Sequence, residues 1–344
     1  MGPRILITGA TGFIGGRVAA AATARTAAAP APEEAAAPVP APASSPRSTT
    51  PLFSATEPPY VRLLVRRPPV REGGQAGPET VLGDLRDPDS LRRACEGIDV
   101  LIHCASAIGG DERSARAVND EGTRSLVDAA VRAGVTRVVA LSTASVHGRG
   151  PFRAAAPGTL PLAPGSATSR TRAAGERYVL DAGGTVLRPH LVYGPGDRQL
   201  IPGLVRLLSA LPGPLDGGSS LHSLVEVDGL ARALLGAALS PATEAGPYYV
   251  AHPDPVPVAE LLAAAEALLV HRTGTPRGPV VDLATARALL AELPFAQHHL
   301  AMLATDHWFA DDRPWRMPGV DPGPGFTEGF ADHAPWYQGL LARS

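Results

Sequence analysis

The chain has 344 residues, of which 44% are hydrophobic and 19% charged, and its formal net charge is −2 at pH 7. This composition supports one large or two medium folded domains and excludes a disordered chain. The near-neutral charge argues against non-specific binding of nucleic acid. Because Cys95 and Cys104 are the only cysteines, a disulfide framework and a cysteine zinc site are excluded, and the sequence predicts no metal site.

Apolar runs and amphipathic segments alternate along the first half of the chain. Residues 4–8 (RILIT) form an apolar run that ends at a glycine, which predicts a buried strand. A helix is predicted over residues 13–25. Further strands are predicted at 60–65, 80–82, 100–103, 137–142 and 185–187, and further helices at 90–95, 114–133 and 168–181. This alternation predicts an α/β fold, a Rossmann-type doubly wound parallel sheet with helices on both faces.

Two regions depart from this alternation. Residues 26–59 are rich in proline and alanine, which predicts a mobile surface loop, with a short helix at about 33–37 as the alternative. Beyond about residue 189 the alternation loosens, and helices are predicted at 200–211, 229–239 and 258–270. We therefore expect a nucleotide-binding domain over 1–188 and mainly a smaller α/β substrate lobe over 189–344, with some strands returning to the first sheet.

The sequence also predicts where the protein is found in the cell. No run of 18 apolar residues occurs, and the first predicted strand begins at Arg4. We expect no membrane span, no signal peptide and a cytoplasmic location.

The first strand runs into a glycine-rich turn that opens a helix. Glycines at such a turn let the backbone approach a pyrophosphate, and the helix amino terminus offers free N–H groups. A structural turn without a ligand is the alternative. The residues predicted to bind the cofactor here are Gly9, Thr11, Gly12, Phe13, Ile14 and Gly15.

The end of the second strand indicates which dinucleotide binds. Folds that prefer NAD place an acid after this strand, whereas here Arg66 and Arg67 follow it, which favours NADPH (NADP). The alternative is that both arginines merely solvate the strand end. Asp84 closes the third strand, where its carboxylate could reach the adenine amino group.

These motifs, together with VNDEGTRSLVDAAVRAGVTRVV, LSTASVHG and RPHLVYGPGD, resemble the extended short-chain dehydrogenase/reductase superfamily of epimerases, dehydratases and reductases. The resemblance implies a Rossmann domain followed by a small substrate lobe. It also implies that Asn119 supports the active site. Further cofactor contacts implied by the resemblance are Leu85, Ala105, Arg172, Pro189 and Leu191.

The catalytic pattern of that superfamily is incomplete here. Members use a serine or threonine and, about 25 residues later, a Tyr-x-x-x-Lys. These positions fall on Thr143, Thr168 and Arg172, so the tyrosine and the lysine are both absent. Because a threonine hydroxyl is a far weaker acid than a phenol and arginine does not release its proton, the proton for a reduction must come from elsewhere. The candidates are His147, His190, a bound water or an acidic hydroxyl of the substrate itself, which is slightly favoured.

The expected substrate is a small aromatic molecule. Leu191 and His222 stand where nucleotide-sugar enzymes of the superfamily carry groups for a substrate diphosphate. In its composition, rich in arginine, alanine and proline, and in its missing tyrosine, the chain resembles ketoreductases that reduce angucyclinone-like aromatic polyketides in antibiotic biosynthesis. A nucleotide-sugar epimerase or dehydratase and a non-catalytic NADP-binding protein are the alternatives. Aromatic residues near the carboxyl end could line the pocket or pack in the core; they are Trp308, Phe309, Trp315, Phe326 and Trp336.

The proline-rich segment yields the first testable prediction. Because the cost of closing a loop depends weakly on its length, deletion of residues 31–56 should leave folding and turnover nearly unchanged. Soluble yield and specific activity are the measurements. A large loss of soluble protein would show that the segment packs on the domain.

Overall fold

The computed structural model describes residues 2–27, 57–68, 77–275 and 277–343. Most of the predicted loop over 26–59, and the alternative helix at 33–37, lie outside the described residues. None of the helices in the described part of the chain has the length and apolar character that crossing a membrane requires.

The secondary structure follows the chain in this order. The strands are β1 (Arg4–Thr8), β2 (Tyr60–Val65), β3 (Glu79–Leu82), β4 (Val100–His103), β5 (Arg137–Leu141), β6 (Phe152–Ala155), β7 (Thr185–Pro189), β8 (Leu191–Tyr193), β9 (Leu221–His222), β10 (Leu224–Glu226), β11 (Gly246–Val250), β12 (Val256–Pro257) and β13 (His307–Phe309). The α-helices are α1 (Phe13–Ala27), α2 (Pro88–Cys95), α3 (Glu112–Arg116), α4 (Thr123–Arg132), α5 (Ala167–Asp181), α6 (Leu200–Ser209), α7 (Val227–Leu239), α8 (Val258–Thr273), α9 (Leu283–Leu289), α10 (Pro294–Leu303), α11 (Arg313–Arg316) and α12 (Phe326–Leu341).

A seven-stranded parallel sheet forms the centre of the fold, with the order β11-β7-β5-β4-β1-β2-β3. The chain moves outward from β1 to β3 and then returns to the other side of β1 with β4. This reversal leaves a crevice beyond the carboxyl ends of the strands, which is where doubly wound sheets bind ligands. The predicted fold class is confirmed.

Both faces of the sheet are covered by helices. Ile5 and Ile7 of β1 pack on one side in a core with residues of α1 and α7. Leu6 points the other way and packs with Leu91 of α2 and Leu126 of α4. This alternation follows from the two-residue period of a strand, and it explains why β1 is apolar throughout.

The second half of the chain contributes both to this sheet and to a separate core. β11 pairs with β7 at the edge of the large sheet, and α7 packs against α1. Five further helices of this half enclose a separate apolar core; they are α6, α8, α9, α10 and α12. A four-stranded sheet of order β12-β9-β13-β6 and the pair β10-β8 complete the architecture.

The predicted helix over 114–133 differs most from the structure. It is divided into α3, a π-helical turn over Ala117–Gly122 and α4. A Cβ at Gly122 would lie 2.8 Å from the Leu85 side chain, so the turn packs closely on the loop after β3. The helix predicted over 168–181 begins one residue earlier, where Ser166 and Ser169 form a capping box.

Candidate functional site

The glycine-rich turn after β1 forms one wall of a cleft of about 400 Å³. Gly9 has a φ of +73°, and a Cβ there would lie 2.6 Å from the Ala105 amide nitrogen. A Cβ at Gly15 would collide with the carbonyl oxygen of Gly9. Both positions therefore need glycine so that the turn can pack against its own backbone and against the loop after β4, as the glycine-rich turns that bind a dinucleotide pyrophosphate do. The cleft is lined by Gly9, Thr11, Gly12, Phe13, Ile14, Gly15, Leu85 and Ala105, which are all predicted cofactor residues.

The two arginines after β2 have different positions. Arg66 lines the cleft, whereas Arg67 is exposed and is not among the described residues that line it. Asp84 lines the cleft as well, but its carboxylate pairs with Arg86 at 2.8 Å. The Arg86 hydrogen bonds lower the pKa of Asp84 to about 2. Arg86, which the sequence interpretation did not include, therefore adds a second guanidinium to this end of the cleft.

A second cleft of about 900 Å³ adjoins the first. Thr11, Gly12, Phe13, Ile14, Ile108 and Arg172 line both clefts. The predicted cofactor residues Pro189 and Leu191 line the second cleft and are not among the described residues that line the first. The remaining walls come from the end of β5, the segment 196–200 and the end of α10, where the sequence carries no recognisable motif. The lining includes Ser142, Thr143, His190, Val192, Gly196, Asp197, Arg198, Gln199, Leu200, His298, His299 and Met302.

Of the three positions of the Ser/Thr and Tyr-x-x-x-Lys pattern, Thr143 and Arg172 line the second cleft. Thr143 lines it, and its Oγ1 accepts a hydrogen bond from the Ser145 amide at 3.2 Å. Thr168 lies at the start of α5, where the Gly109 amide donates to its Oγ1 at 3.4 Å. In the part of the chain that the structure describes, Thr168 lines neither cleft. Its hydroxyl is thus directed at the backbone of the loop after β4.

Arg172 lies one helical turn after Thr168, at the junction of the two clefts. It donates from Nη2 to the Leu141 carbonyl oxygen at 2.8 Å, which fixes it at the end of β5. Burial lowers the pKa of Arg172 to about 10, so the guanidinium remains charged at neutral pH. It therefore offers a positive charge to both clefts.

Asn119 is buried next to the first cleft, and its side-chain amide connects three segments of the chain. Its Oδ1 accepts from the Ala107 amide at 2.7 Å, and its Nδ2 donates to the Ala107 carbonyl at 2.9 Å. Nδ2 also lies 3.1 Å from Oγ1 of Thr171 on α5. The π-helical turn, the loop after β4 and α5 are joined by this one amide.

The structure contradicts the hypothesis that His147 supplies the proton. The histidine is buried, and its Nδ1 donates to the Pro161 carbonyl at 2.8 Å. Its Nε2 then has to accept, from the Tyr249 hydroxyl at 2.9 Å and from Arg188 at 3.3 Å. Burial lowers its pKa, and it belongs to neither cleft lining within the described residues. It is a packed histidine.

His147 belongs to a buried polar network behind the second cleft. Arg188 of β7 donates to both carboxylate oxygens of Glu176 on α5, at 3.0 and 2.6 Å. Tyr249 of β11 completes the group through the imidazole. The network links the helix that carries Arg172 to the strand that ends at the cleft.

His222 and the aromatic residues near the carboxyl end, which were expected to bear on the substrate, are not among the described residues that line the clefts. His222, at a position tied to a diphosphate in nucleotide-sugar enzymes, is 0% exposed and lies behind the cleft wall. None of the five aromatic residues near the carboxyl end lines either cleft in the described part of the chain. Phe309, Trp315 and Phe326 are buried in apolar cores, which is the packing alternative.

The fold and the two adjoining clefts define a dinucleotide-binding α/β protein. Residues 5–251 match the NAD dependent epimerase/dehydratase family. The chain belongs to this family and is an NAD(P)H-dependent oxidoreductase of the short-chain dehydrogenase/reductase type.

Several relatives are reductases by name. The 2-alkyl-3-oxoalkanoate reductase of Stenotrophomonas maltophilia is 30% identical over 285 residues, which cover 73% of this chain and 84% of that protein. The 4-hydroxy-2-methyl-3-oxo-4-farnesyl-3,4-dihydroquinoline-1-oxide ketoreductase of Stigmatella aurantiaca is 33% identical over 190 residues, covering 52% of this chain and 57% of that protein.

Solved structures of low sequence identity share the fold. MoeE5 in complex with UDP-glucose and NAD is 22% identical, with a TM-score of 0.67 over 99% of this chain and 100% of that one. WbmH of Bordetella bronchiseptica in complex with NAD⁺ is 17% identical, with a TM-score of 0.68 over 98% and 99%.

The buried ion pair yields a stability prediction. Glu176→Ala leaves the Arg188 guanidinium buried without its carboxylate, so the free energy of unfolding should fall by about 3–5 kcal/mol in urea denaturation. Arg177→Ala, at an exposed position of the same helix, should change it by less than about 0.5 kcal/mol. Similar small changes in both variants would contradict the structural role of the pair.

Proposed function

We propose that this protein is an NADPH-dependent ketoreductase that reduces a carbonyl of an aromatic polyketide of the angucyclinone type, in antibiotic biosynthesis. The observation that carries the proposal is the junction at Arg172, where a dinucleotide cleft opens into a larger cleft with no phenolic acid on its described walls. The names of the relatives support reduction of a ketone.

The second cleft suits a bulky, largely apolar substrate. At about 900 Å³ it has the size of pockets that hold drug-sized ligands. Its walls are largely apolar, and their large side chains are Phe13, Ile14, Ile108, Leu191, Leu200 and Met302. Arg198 is an exposed cation at the same cleft and suits an acidic hydroxyl of the substrate. Leu191 offers no hydrogen bond to a sugar diphosphate, which disfavours a nucleotide-sugar substrate.

In the proposed mechanism, protein residues bind and orient the substrate, and the substrate itself supplies the proton. When bound, NADPH supplies a hydride to the carbonyl carbon. Arg172 stabilises negative charge that develops on the carbonyl oxygen, whereas the Thr143 hydroxyl is already bonded to Ser145, as a donor to its Oγ and as an acceptor from its amide. A threonine hydroxyl is a far weaker acid than a phenol, and the Arg172 guanidinium already donates to the Leu141 carbonyl oxygen. A phenolic hydroxyl beside the ketone passes its proton to the new alkoxide, and solvent then reprotonates the phenolate.

The cofactor preference is tested at the two arginines after β2. We expect kcat/KM to favour NADPH over NADH by at least about tenfold, because Arg66 lines the cleft and can bind the 2′-phosphate. Arg66→Ala should erase most of this ratio. The matched control, Arg67→Ala, should leave it unchanged because Arg67 lies outside the lining. Equal use of both cofactors by the wild type would overturn the assignment.

The proton route is tested with threonine variants and two substrates. One substrate is a polyketide ketone with an adjacent phenolic hydroxyl, and the other lacks that hydroxyl. Thr168→Val and Thr143→Val should retain most activity, whereas Gly12→Val should abolish it by blocking the pyrophosphate. Removal of the substrate hydroxyl should lower kcat by about 10²-fold or more, as loss of a general acid does.

The outcomes separate the possible functions. Threonine variants as inactive as Gly12→Val, with the analogue reduced normally, would return the proton to the protein. Binding of NADPH without reduction of any polyketide ketone would instead support a non-catalytic cofactor-binding protein. Tight binding of UDP-glucose in calorimetry would support nucleotide-sugar chemistry.

A further inference from the structure

Three histidines from distant parts of the sequence meet beside the second cleft. His190 follows β7, His222 ends β9 and His307 begins β13. Their rings are stacked, with centroids 5.1–6.1 Å apart and planes within 10–16° of one another. One ring nitrogen from each lies within 4.8 Å of the other two.

Hydrogen bonding determines which nitrogen of His222 carries the proton. The Ser220 hydroxyl donates to the Leu303 carbonyl oxygen, so its proton is already used. Ser220 Oγ also lies 3.2 Å from Nε2 of His222, and in that contact Oγ must accept. The proton of His222 is therefore on Nε2, and Nδ1 carries a lone pair. This Nδ1 is buried and has no hydrogen-bond partner among the described residues.

The same reasoning applies to His307. Its Nδ1 lies 2.8 Å from the Thr305 carbonyl oxygen, which can only accept, so Nδ1 carries the proton. Its Nε2 has a lone pair that accepts one long hydrogen bond, 3.3 Å from the Gly150 amide. Nε2 of His190 is buried without a partner in the described part of the chain.

Buried ring nitrogens without a hydrogen-bond partner destabilise the folded protein unless a ligand binds to them. A buried polar atom without a hydrogen-bond partner is unfavourable, and two of the three rings contain such an atom. Neutral imidazole is also the form that binds a metal ion, and a protein group that fixes the second ring nitrogen is the usual companion of a metal-binding histidine. Ser220 and Thr305 are such companions for two of the rings.

We propose that His190, His222 and His307 form a binding site for one divalent transition-metal ion of the zinc class. A tetrahedral zinc ion bonds imidazole nitrogens at about 2.0–2.1 Å, which places the nitrogens about 3.3–3.4 Å apart, so nitrogens that lie within 4.8 Å of one another have to close by up to about 1.5 Å. Three protein ligands leave a fourth position for water or another oxygen ligand. Because His190 also lines the second cleft, the ion would lie at the wall of that cleft.

Binding is tested first on the wild-type chain, without a histidine tag and after treatment with a chelator. We expect about one equivalent of Co²⁺ to bind with the visible absorption of a four-coordinate site, and Zn²⁺ to displace it. Zn²⁺ should raise the Tm whereas Mg²⁺ should not, because Mg²⁺ prefers oxygen ligands. Binding of much less than one equivalent would overturn the proposal.

The ligands are then identified in two independent ways. His222→Phe and His307→Phe keep an aromatic ring in the stack and should weaken Zn²⁺ binding by more than about 100-fold, which exceeds the usual effect of an outer partner. His271→Phe, at an exposed position of α8, is the control and should bind as the wild type does. Circular dichroism verifies that the variants fold.

A measurement on the wild type keeps the proposal falsifiable if a variant does not fold. X-ray absorption at the zinc edge should show about three imidazole ligands and no sulfur. Sulfur scattering would assign the ion to Cys95 or Cys104 and overturn the proposal, as would unchanged zinc affinity in His222→Phe or His307→Phe.

Discussion

The buried ion pair between Arg188 and Glu176 holds together the parts of the site that come from distant segments. Both side chains are nearly inaccessible, with 6% and 3% of their surface exposed, so each charge depends on the other. The pair connects β7 to α5, and the imidazole of His147 extends it to Tyr249 on β11. Because a charge left unpaired here is costly, α5 has little freedom to move relative to the end of β7. Arg172, on α5, is thereby held at the junction of the two clefts.

Asn119 provides a second constraint of the same kind, with neutral groups. Its amide satisfies both backbone groups of Ala107 and reaches Thr171 on α5. α5 is thus fixed from two sides, by the ion pair toward β7 and by this amide toward the loop after β4. The geometry of the clefts follows from these bonds and from packing, and it requires neither a tyrosine at residue 168 nor a lysine at residue 172.

The parts of the structure that the sequence predicts best are those with local, periodic signals. β1, β2 and β4 have the predicted bounds, because each is a short apolar run between turns. The turn at Gly9 was predictable since only glycine fits its backbone and its contact with Ala105. By contrast, α9, α10 and α12 were not predicted, because the apolar residues that bury them come from one another and from distant elements.

Features that depend on the direction of a side chain were harder to predict. Arg66 and Arg67 are adjacent in a bend after β2, and of the two Arg66 lines the first cleft, so a count of arginines could not separate them. His147 looked suitable as an acid by pKa alone, yet its two nitrogens are used by Pro161, Tyr249 and Arg188. The histidine cluster had no spacing signal either, since its members lie 32 and 85 residues apart and only the small sheet brings β9 beside β13.

The positions of the groups that line the clefts do not depend on which group supplies the proton. Packing and buried hydrogen bonds determine the shape of the clefts, the glycine-rich turn and the position of Arg172. None of these bonds needs a phenol at residue 168. A threonine at this position turns its hydroxyl to the Gly109 amide, and neither described cleft lining contains a phenol. A fold of this family can therefore retain a complete binding geometry while its proton source changes. On the proposed route, a hydroxyl of the substrate takes the place of a protein acid in protonating the alkoxide.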